Sequence, residues 1–396
     1  MKNSVETVGI PRECKTGEKR VGLTPEGVRH LTRKGVRVLV ESGAGELAGF
    51  PDSSYERAGA LMVSTPYRLW KGATLIKKVK EPQPEEYIFF HPKHTLFTFL
   101  HLASQENCDL VRHLMSSGIT ALGYETVEKD GEAVILTPMS EIAGTLAAYF
   151  GGILKHLIEI KDGEIYYHSW YPKVLERAIQ GYPEPIHGSN PGNVLVLGGG
   201  HAGEKAAEMS ALMGGKVTVT ELSREKREAL AEKFMKKKLW INVVSPEENH
   251  LAALEDADVV IGAVHVHGKR APVIVTEAML REASAKKRKV VIDVAVDQGG
   301  NISGTRGTSF DNPLYADSFG NIRFGVTNIP SLAGRVASLE LEKVTLDYTL
   351  ALAENMQTAF KKFPELEKGL NIQRGRLVHE AVASAHRIGT GGGGKG

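Results

Sequence analysis

Three glycines, Gly198, Gly200 and Gly203, form G-x-G-x-x-G in "NVLVLGGGHAGEKAAEMSALMGGKVTVTEL" (193–222), directly after an apolar run and directly before a helical pattern. The first permits a tight turn, the second lets backbone approach a pyrophosphate, and the third lets the helix pack on the strand. The amides of the helix start then face the anion. The next apolar run ends at Glu221, 23 residues after Gly198, near the offset of about 20 expected for an acid that accepts from the adenosine ribose hydroxyls. A carboxylate there repels a 2′-phosphate, so the pattern predicts NAD rather than NADP. Arg224, Lys226 and Arg227 follow closely; they either approach a 2′-phosphate or solvate the start of a helix.

Nicotinamide chemistry also needs cations for a substrate carboxylate, an acid/base group at the carbon that exchanges hydride, and exclusion of water. Arg20 in "GEKRVGLTP", Lys80 at the end of "LIKKVK" and His101 in "TLFTFLHLA" (95–103) are candidates. If 95–103 is one strand, alternation puts Phe97, Phe99 and His101 on one face. By alternation alone His101 reads as a satisfied core histidine, and Arg20 and Lys80 as solvated cations. A parallel sheet would bring all three to its strand carboxyl ends. In "VIDVAVDQGG", Asp297 sits at a predicted strand end ahead of Gly299 and Gly300, whereas Asp293 reads as a sheet or capping carboxylate. His265 and His267 lack a Cys or acidic companion, so no metal site is expected.

Short apolar runs alternating with amphipathic stretches must position these groups, which is the grammar of βα units. Strands are predicted at 7–10, 36–41, 73–80, 95–103 and 119–125. Thr24 and Pro25 start a helix that Gly35 ends, a second begins near Asp52, and a third carries Leu110, Val111, Leu114 and Met115. A long helix over 139–158 leaves this domain, and 161–192, with Trp170 and four prolines, reads as an irregular connection. Beyond the glycine loop, strands are predicted at 240–244, 257–264, 289–297 and 322–327, and one long helix over 335–362.

The 396 residues are 42% hydrophobic and 24% charged, enough for two domains with sizeable cores. A net charge of +2 gives no drive toward nucleic acid or membrane surfaces. Two cysteines, Cys14 and Cys108, suit a reducing compartment. The start lacks an apolar run of signal-peptide type, and the longest uncharged stretch, 142–154, is too short for a span of about 20 residues. A cytoplasmic protein with small-molecule substrates is expected. "KKRK" (286–289) reads as a solvated loop, and "GTGGGGKG" (389–396) as a disordered tail.

"GIPRECKTGEKRVGLTPEGV", "VKEPQPEEY", "LFTFLHLA", "GYETV", "LTPMSEIAG", "VLGGGHAG", "IGAV", "IDVAVDQGG" and "TNIP" resemble, in this order and at similar spacing, the L-alanine dehydrogenase family. The resemblance covers nearly the whole chain. It implies an α/β fold of two Rossmann-like doubly wound parallel-sheet domains, joined by long helices with a cleft between them. Residues 1–138 with 335–396 would form the substrate domain and 139–334 the NAD-binding domain. The implied reaction is the reversible NAD-dependent oxidative deamination of L-alanine to pyruvate and ammonia, usually in a homohexamer. By resemblance Arg20 and Lys80 bind the substrate's carboxylate and carbonyl, and His101 and Asp297 form the catalytic pair. Ser140, Gly198, Gly200, His201, Ala202, Gly203, Glu221, Lys226, Ser245, Val264, His265, Arg306, Val326, Asn328 and Ile329 fall at nucleotide-contacting positions.

The chain departs from the family pattern in its longer 161–192 connection, in His265 and His267 where a leucine and a proline are usual, and in "SLAGRVAS" after "TNIP". These departures bear on the substrate more than on the reaction class. The alternatives are an NAD-binding transhydrogenase-type subunit, a saccharopine- or opine-type dehydrogenase acting on a larger amine, and a non-catalytic nucleotide-binding protein on the same scaffold.

Overall fold

The computed structural model describes residues 7–161, 164–167, 190–266 and 270–388. The chain divides into two compact units, Met1–Met139 with Ala333–Gly396, and Ser140–Leu332. His267, the glycine-rich tail and most of the 161–192 connection lie outside the described residues.

In the first unit, six strands pair in parallel: Val8–Ile10, Val38–Glu41, Leu61–Val63, Leu75–Lys77, Thr95–Thr98 and Thr120–Gly123. Their spatial order runs third, second, first, fourth, fifth, sixth. The winding therefore reverses between Val8–Ile10 and Leu75–Lys77, where the chain segments leaving the two strands diverge. Leu370–Gln373 and Arg376–Leu377, which the sequence pattern did not mark, extend the sheet antiparallel beyond Thr120–Gly123. The helix Pro25–Arg33 forms as expected, its Thr24 side chain accepting from the Glu26 amide and Gly35 leaving it at φ 81°. Leu39, Trp70, Ile76, Leu96, Leu114 and Ile372 belong to one buried cluster.

The long C-terminal helix departs from expectation in two ways. It runs Gly334–Glu354 and stops at Asn355, whose side chain accepts from the Thr358 amide and starts a separate helix, Met356–Lys362. Its buried face mixes Leu341, Leu352 and small residues with the polar Ser338, Glu342 and Thr345, while Leu339, Val344, Leu346 and Leu350 are half-buried. Satisfied hydrogen bonds make this possible. Ser338 Oγ accepts from the Val21 amide, Glu342 accepts from the Thr24 amide and hydroxyl, and Thr345 Oγ1 accepts from Lys77 Nζ at 2.8 Å.

The second unit holds a seven-stranded sheet in the order Ile241–Val244, Lys216–Thr220, Asn193–Leu197, Val259–Gly262, Val290–Asp293, Ile322–Phe324, Leu314–Ala316. All neighbours are parallel except the last pair. Its winding reverses between Asn193–Leu197 and Val259–Gly262. The helix Thr137–Leu157 runs two residues ahead of its expected start, and Ile158–Lys161 pairs with Glu164–Tyr167 as a hairpin where an irregular connection was expected. Both sheets are thus doubly wound and mainly parallel, and among the described residues no helix is long and apolar enough to cross a membrane.

Candidate active site

At the first sheet's switch point, the segment after Ile10 supplies Glu13, Lys15, Glu18 and Arg20, and the segment after Lys77 supplies Lys80 and Glu81. Neither cation is a solvated surface group: Arg20 is 3% exposed and Lys80 7%. Glu18 grips the Arg20 guanidinium with both oxygens, at 2.7 Å from Nε and 2.6 Å from Nη2, and Nη1 lies 3.2 Å from the Met139 sulfur. A bidentate pair of this kind fixes the plane of the guanidinium. Lys80 Nζ stands 3.4 Å from His101 Nε2.

His101 itself is not on a strand. The strand ends at Thr98, and His101 adopts φ 48°, a left-handed conformation uncommon outside glycine. Alternation therefore fails at the residue for which it was invoked, although the Phe99 ring still stacks on the imidazole at 5.7 Å and 5°. Phe97 and Phe99 both turn toward Tyr124, edge to face. Glu125 accepts from the Leu100 and His101 amides at 3.1 and 2.7 Å, and Asn107 Nδ2 donates to the carbonyls of the same two residues. The strained dipeptide is thus held at all four of its backbone polar groups, which is how a sparsely populated φ persists.

Burial, and then the Lys80 ammonium, push the His101 imidazole down to about 3, with Lys15 and Arg20 acting in the same sense and Glu81 against them. Burial among these cations favours the neutral ring. Burial raises Glu81, yet the Lys80 and Lys15 ammonium groups outweigh it and hold the carboxyl below its ordinary range. Lys15 forms an ion pair with Glu81. Glu13, Glu18, Glu81 and Glu125 were missed by the sequence reading, although their crowding behind apolar strands was a visible signal.

In the second unit the predicted nucleotide residues gather just past strand carboxyl ends. The strands lead respectively to Gly198, Glu221, Ser245, Val264 with His265, Asp297, and Val326 through Asn328 to Ile329. Gly198 has φ 94°, a Cβ on Gly203 would lie 1.8 Å from the Gly198 carbonyl oxygen, and a Cβ on Gly200 would meet nothing within 4 Å. The helix His201–Leu212 starts at Gly200, which has no side chain to accept from the first-turn amides. Tight turn, close packing and open space over a helix start fit a dinucleotide pyrophosphate. Glu221 accepts from the Gly199 and Ser223 amides at 3.0 Å each. Arg227 caps the Glu221 and Leu222 carbonyls and Arg224 pairs with Glu228, so both arginines have local partners, while Lys226 sits in the exposed first turn of Arg224–Lys236.

Ser140 lies one turn ahead of Gly144, whose added Cβ would come 1.9 Å from the Ala202 carbonyl, so one helix face approaches the glycine loop. Ser245 is the N-cap of Pro246–Asp256. Asn301, another residue the sequence reading missed, clamps the Val264 amide and carbonyl, and His265 Nε2 lies 2.7 Å from Gln298 Nε2. Arg306 packs over the Tyr315 ring at 4.1 Å. Asp297 sits on a short 3-10 turn, Val296–Gln298, four residues beyond the strand's last residue rather than on it. The strand ends at Asp293 because that buried carboxylate accepts from the Ala295, Asn301 and Ile302 amides and the Thr305 hydroxyl. Asn328, at φ 58°, donates its amide to Asp297 Oδ2 at 3.4 Å.

The chain matches two family models, "Alanine dehydrogenase/PNT, N-terminal domain" over residues 9–143 and "Alanine dehydrogenase/PNT, C-terminal domain" over 180–380. It is 37% identical to an alanine dehydrogenase of Bacillus subtilis over 95% of this chain and 93% of that one. It is 38% identical to one of Mycobacterium tuberculosis over 95% and 96%. A solved L-alanine dehydrogenase superposes with a TM-score of 0.81 at 35% identity, covering 96% of this chain and 99% of that one. A transhydrogenase from Sinorhizobium meliloti, at 22% identity and a TM-score of 0.72 over 95% and 100%, shares the fold. Two doubly wound sheets, a glycine-loop switch point and these matches along almost the whole length lead to one conclusion: the chain belongs to the alanine dehydrogenase family and is an amino-acid dehydrogenase.

Proposed function

We propose that the protein catalyses the reversible NAD-dependent oxidative deamination of L-alanine to pyruvate and ammonia, in the cytoplasm and as a homohexamer. The observation that carries the mechanism is the Lys80–His101 pair, 3.4 Å apart at the first sheet's switch point beside the paired Arg20. NAD would be held by the glycine loop and Glu221 and would supply the hydride acceptor for the substrate's Cα. Arg20 and Lys80 hold the carboxylate and polarise the carbonyl oxygen. His101, neutral among its cations, takes a proton from the water that adds to the substrate iminium, returns it to the carbinolamine nitrogen, and takes the hydroxyl proton as ammonia leaves and the carbonyl forms. A bound carboxylate offsets the cations that depress the ring, which brings its proton affinity toward the range where both directions run. Asp297 orients the water or ammonia and stabilises the cationic iminium.

Glu221, fixed by two backbone amides and backed by arginines that already have partners, favours the ribose hydroxyls over a 2′-phosphate. The half-buried Leu339, Val344, Leu346 and Leu350 on one helix supply apolar surface for subunit contacts. Steady-state assays with L-alanine, glycine, L-serine and L-lysine, each with NAD and NADP, test the reading. Fastest turnover with L-alanine and NAD is expected. Turnover with L-lysine but not L-alanine, or a preference for NADP, would overturn the substrate or the cofactor assignment respectively.

A further inference from the structure

We infer that Glu13 is a positioning residue for Lys80: its carboxylate bridges the switch point and sets the direction in which the chain carries the Lys80 ammonium. The inference rests on the role proposed for Lys80. Glu13 lies three residues past the strand Val8–Ile10, and its two oxygens accept from consecutive amides just past the strand Leu75–Lys77, Val79 at 2.7 Å and Lys80 at 3.2 Å. These two strands are the neighbours between which the sheet reverses its winding. The diverging segments there are tied to each other by this carboxylate.

Two oxygens that each accept from an amide are best served by the ionised carboxylate; burial raises the Glu13 carboxyl to about 7, and the Lys78 ammonium and the Val79 amide act against that rise. The Lys78 ammonium, fully buried 3.4 Å from Glu13 and 2.8 Å from Glu86, provides the counter-charge. Lys78 and Lys80 leave the same strand end two residues apart, so one element delivers both the counter-ion and the lysine that is aimed. Glu86 shares the ion pair but touches neither the Val79 nor the Lys80 amide; its second oxygen accepts from the Gln83 amide instead. The two acids therefore separate electrostatic support from backbone positioning.

In Glu13→Gln, one amide keeps an acceptor and the other faces an NH2 group. The expected result is a fall of about 10- to 100-fold in kcat/KM for pyruvate, the scale of a sub-ångström to ångström misplacement of a substrate-binding group, with NADH affinity unchanged. Glu86→Gln, which also removes one carboxylate from Lys78, should keep kcat/KM within about threefold of wild type. Equal losses in both variants, or wild-type kinetics in Glu13→Gln, would overturn the inference. Lys80→Met guards the premise: if it stays active, the role of Lys80 fails, whereas an inactive Lys80→Met beside a fully active Glu13→Gln rejects the role of Glu13. Should Glu13→Gln melt below the assay temperature, Glu13→Gln/Lys78→Met is compared with Lys78→Met, and the same loss is expected between that pair.

Discussion

His101 is defined less by its own side chain than by what surrounds it. A left-handed backbone, four clamped backbone groups, a stacked Phe99 and a lysine 3.4 Å away leave the ring few alternatives in position or charge. Burial contributes most to its depressed pKa and Lys80 comes next, so removing the lysine should move it in a known direction. In Lys80→Met the pKa of His101 is expected to rise from about 3 toward its ordinary value, as followed by NMR titration of the imidazole C–H signals of ligand-free protein. It should remain below the ordinary value, because burial persists. A pKa that stays put or falls would mean that the Lys80 charge does not reach the ring. None of this clamp was legible in "TLFTFLHLA", whose period-two pattern holds to Thr98 and then yields to a turn fixed by Asn107, just beyond the stretch, and by Glu125 after the next strand.

Among the elements, the strand Leu75–Lys77 and the helix Gly334–Glu354 meet through a buried lysine. Lys77 Nζ donates to Tyr124 Oη at 3.0 Å and Thr345 Oγ1 at 2.8 Å and lies over the Phe97 and Tyr124 rings. Burial lowers it to about 7, with Glu342 opposing. An unfolded lysine keeps its proton to about 10.4. Between about pH 7 and pH 10 the unfolded chain therefore binds one proton more than the native chain, and stability from this group rises with pH. Urea unfolding of wild type and Lys77→Met across that window should show a positive slope, up to about 1.4 kcal/mol per pH unit, that the variant lacks. Identical slopes would mean that Lys77 keeps its proton in the native state. The lysine run "KKVK" gives no warning of this, since a charged triplet ordinarily reads as solvated; only the polar face of a helix some 260 residues later makes its burial tolerable.

At the scale of the whole molecule, what could be read early was whatever depends on local periodicity and fixed spacing. The apolar runs gave most of the parallel strands, Thr24-Pro25 gave a capped helix, and the glycine loop with Glu221 gave a dinucleotide switch point. What could not be read depends on partners remote in sequence. The two antiparallel strands after residue 369 and the buried polar groups of Gly334–Glu354 acquire their roles only once residues from 333 onward rejoin the first unit, and Glu13 acquires its own from amides 66 and 67 residues away. Asp293, read from the sequence as a sheet or capping carboxylate, does cap: it fastens the loop on which Asp297 is carried through partners within 12 residues.

If His101 performs the proton transfers of the proposed NAD-dependent deamination, His101→Ala, assayed in parallel for L-alanine-dependent reduction of NAD and for NADH binding by fluorescence, loses the first and keeps the second. The variant's kcat should fall by a factor of roughly 100 to 10,000 while NADH affinity stays at the wild-type value. Turnover within a few fold of wild type would contradict that role for His101.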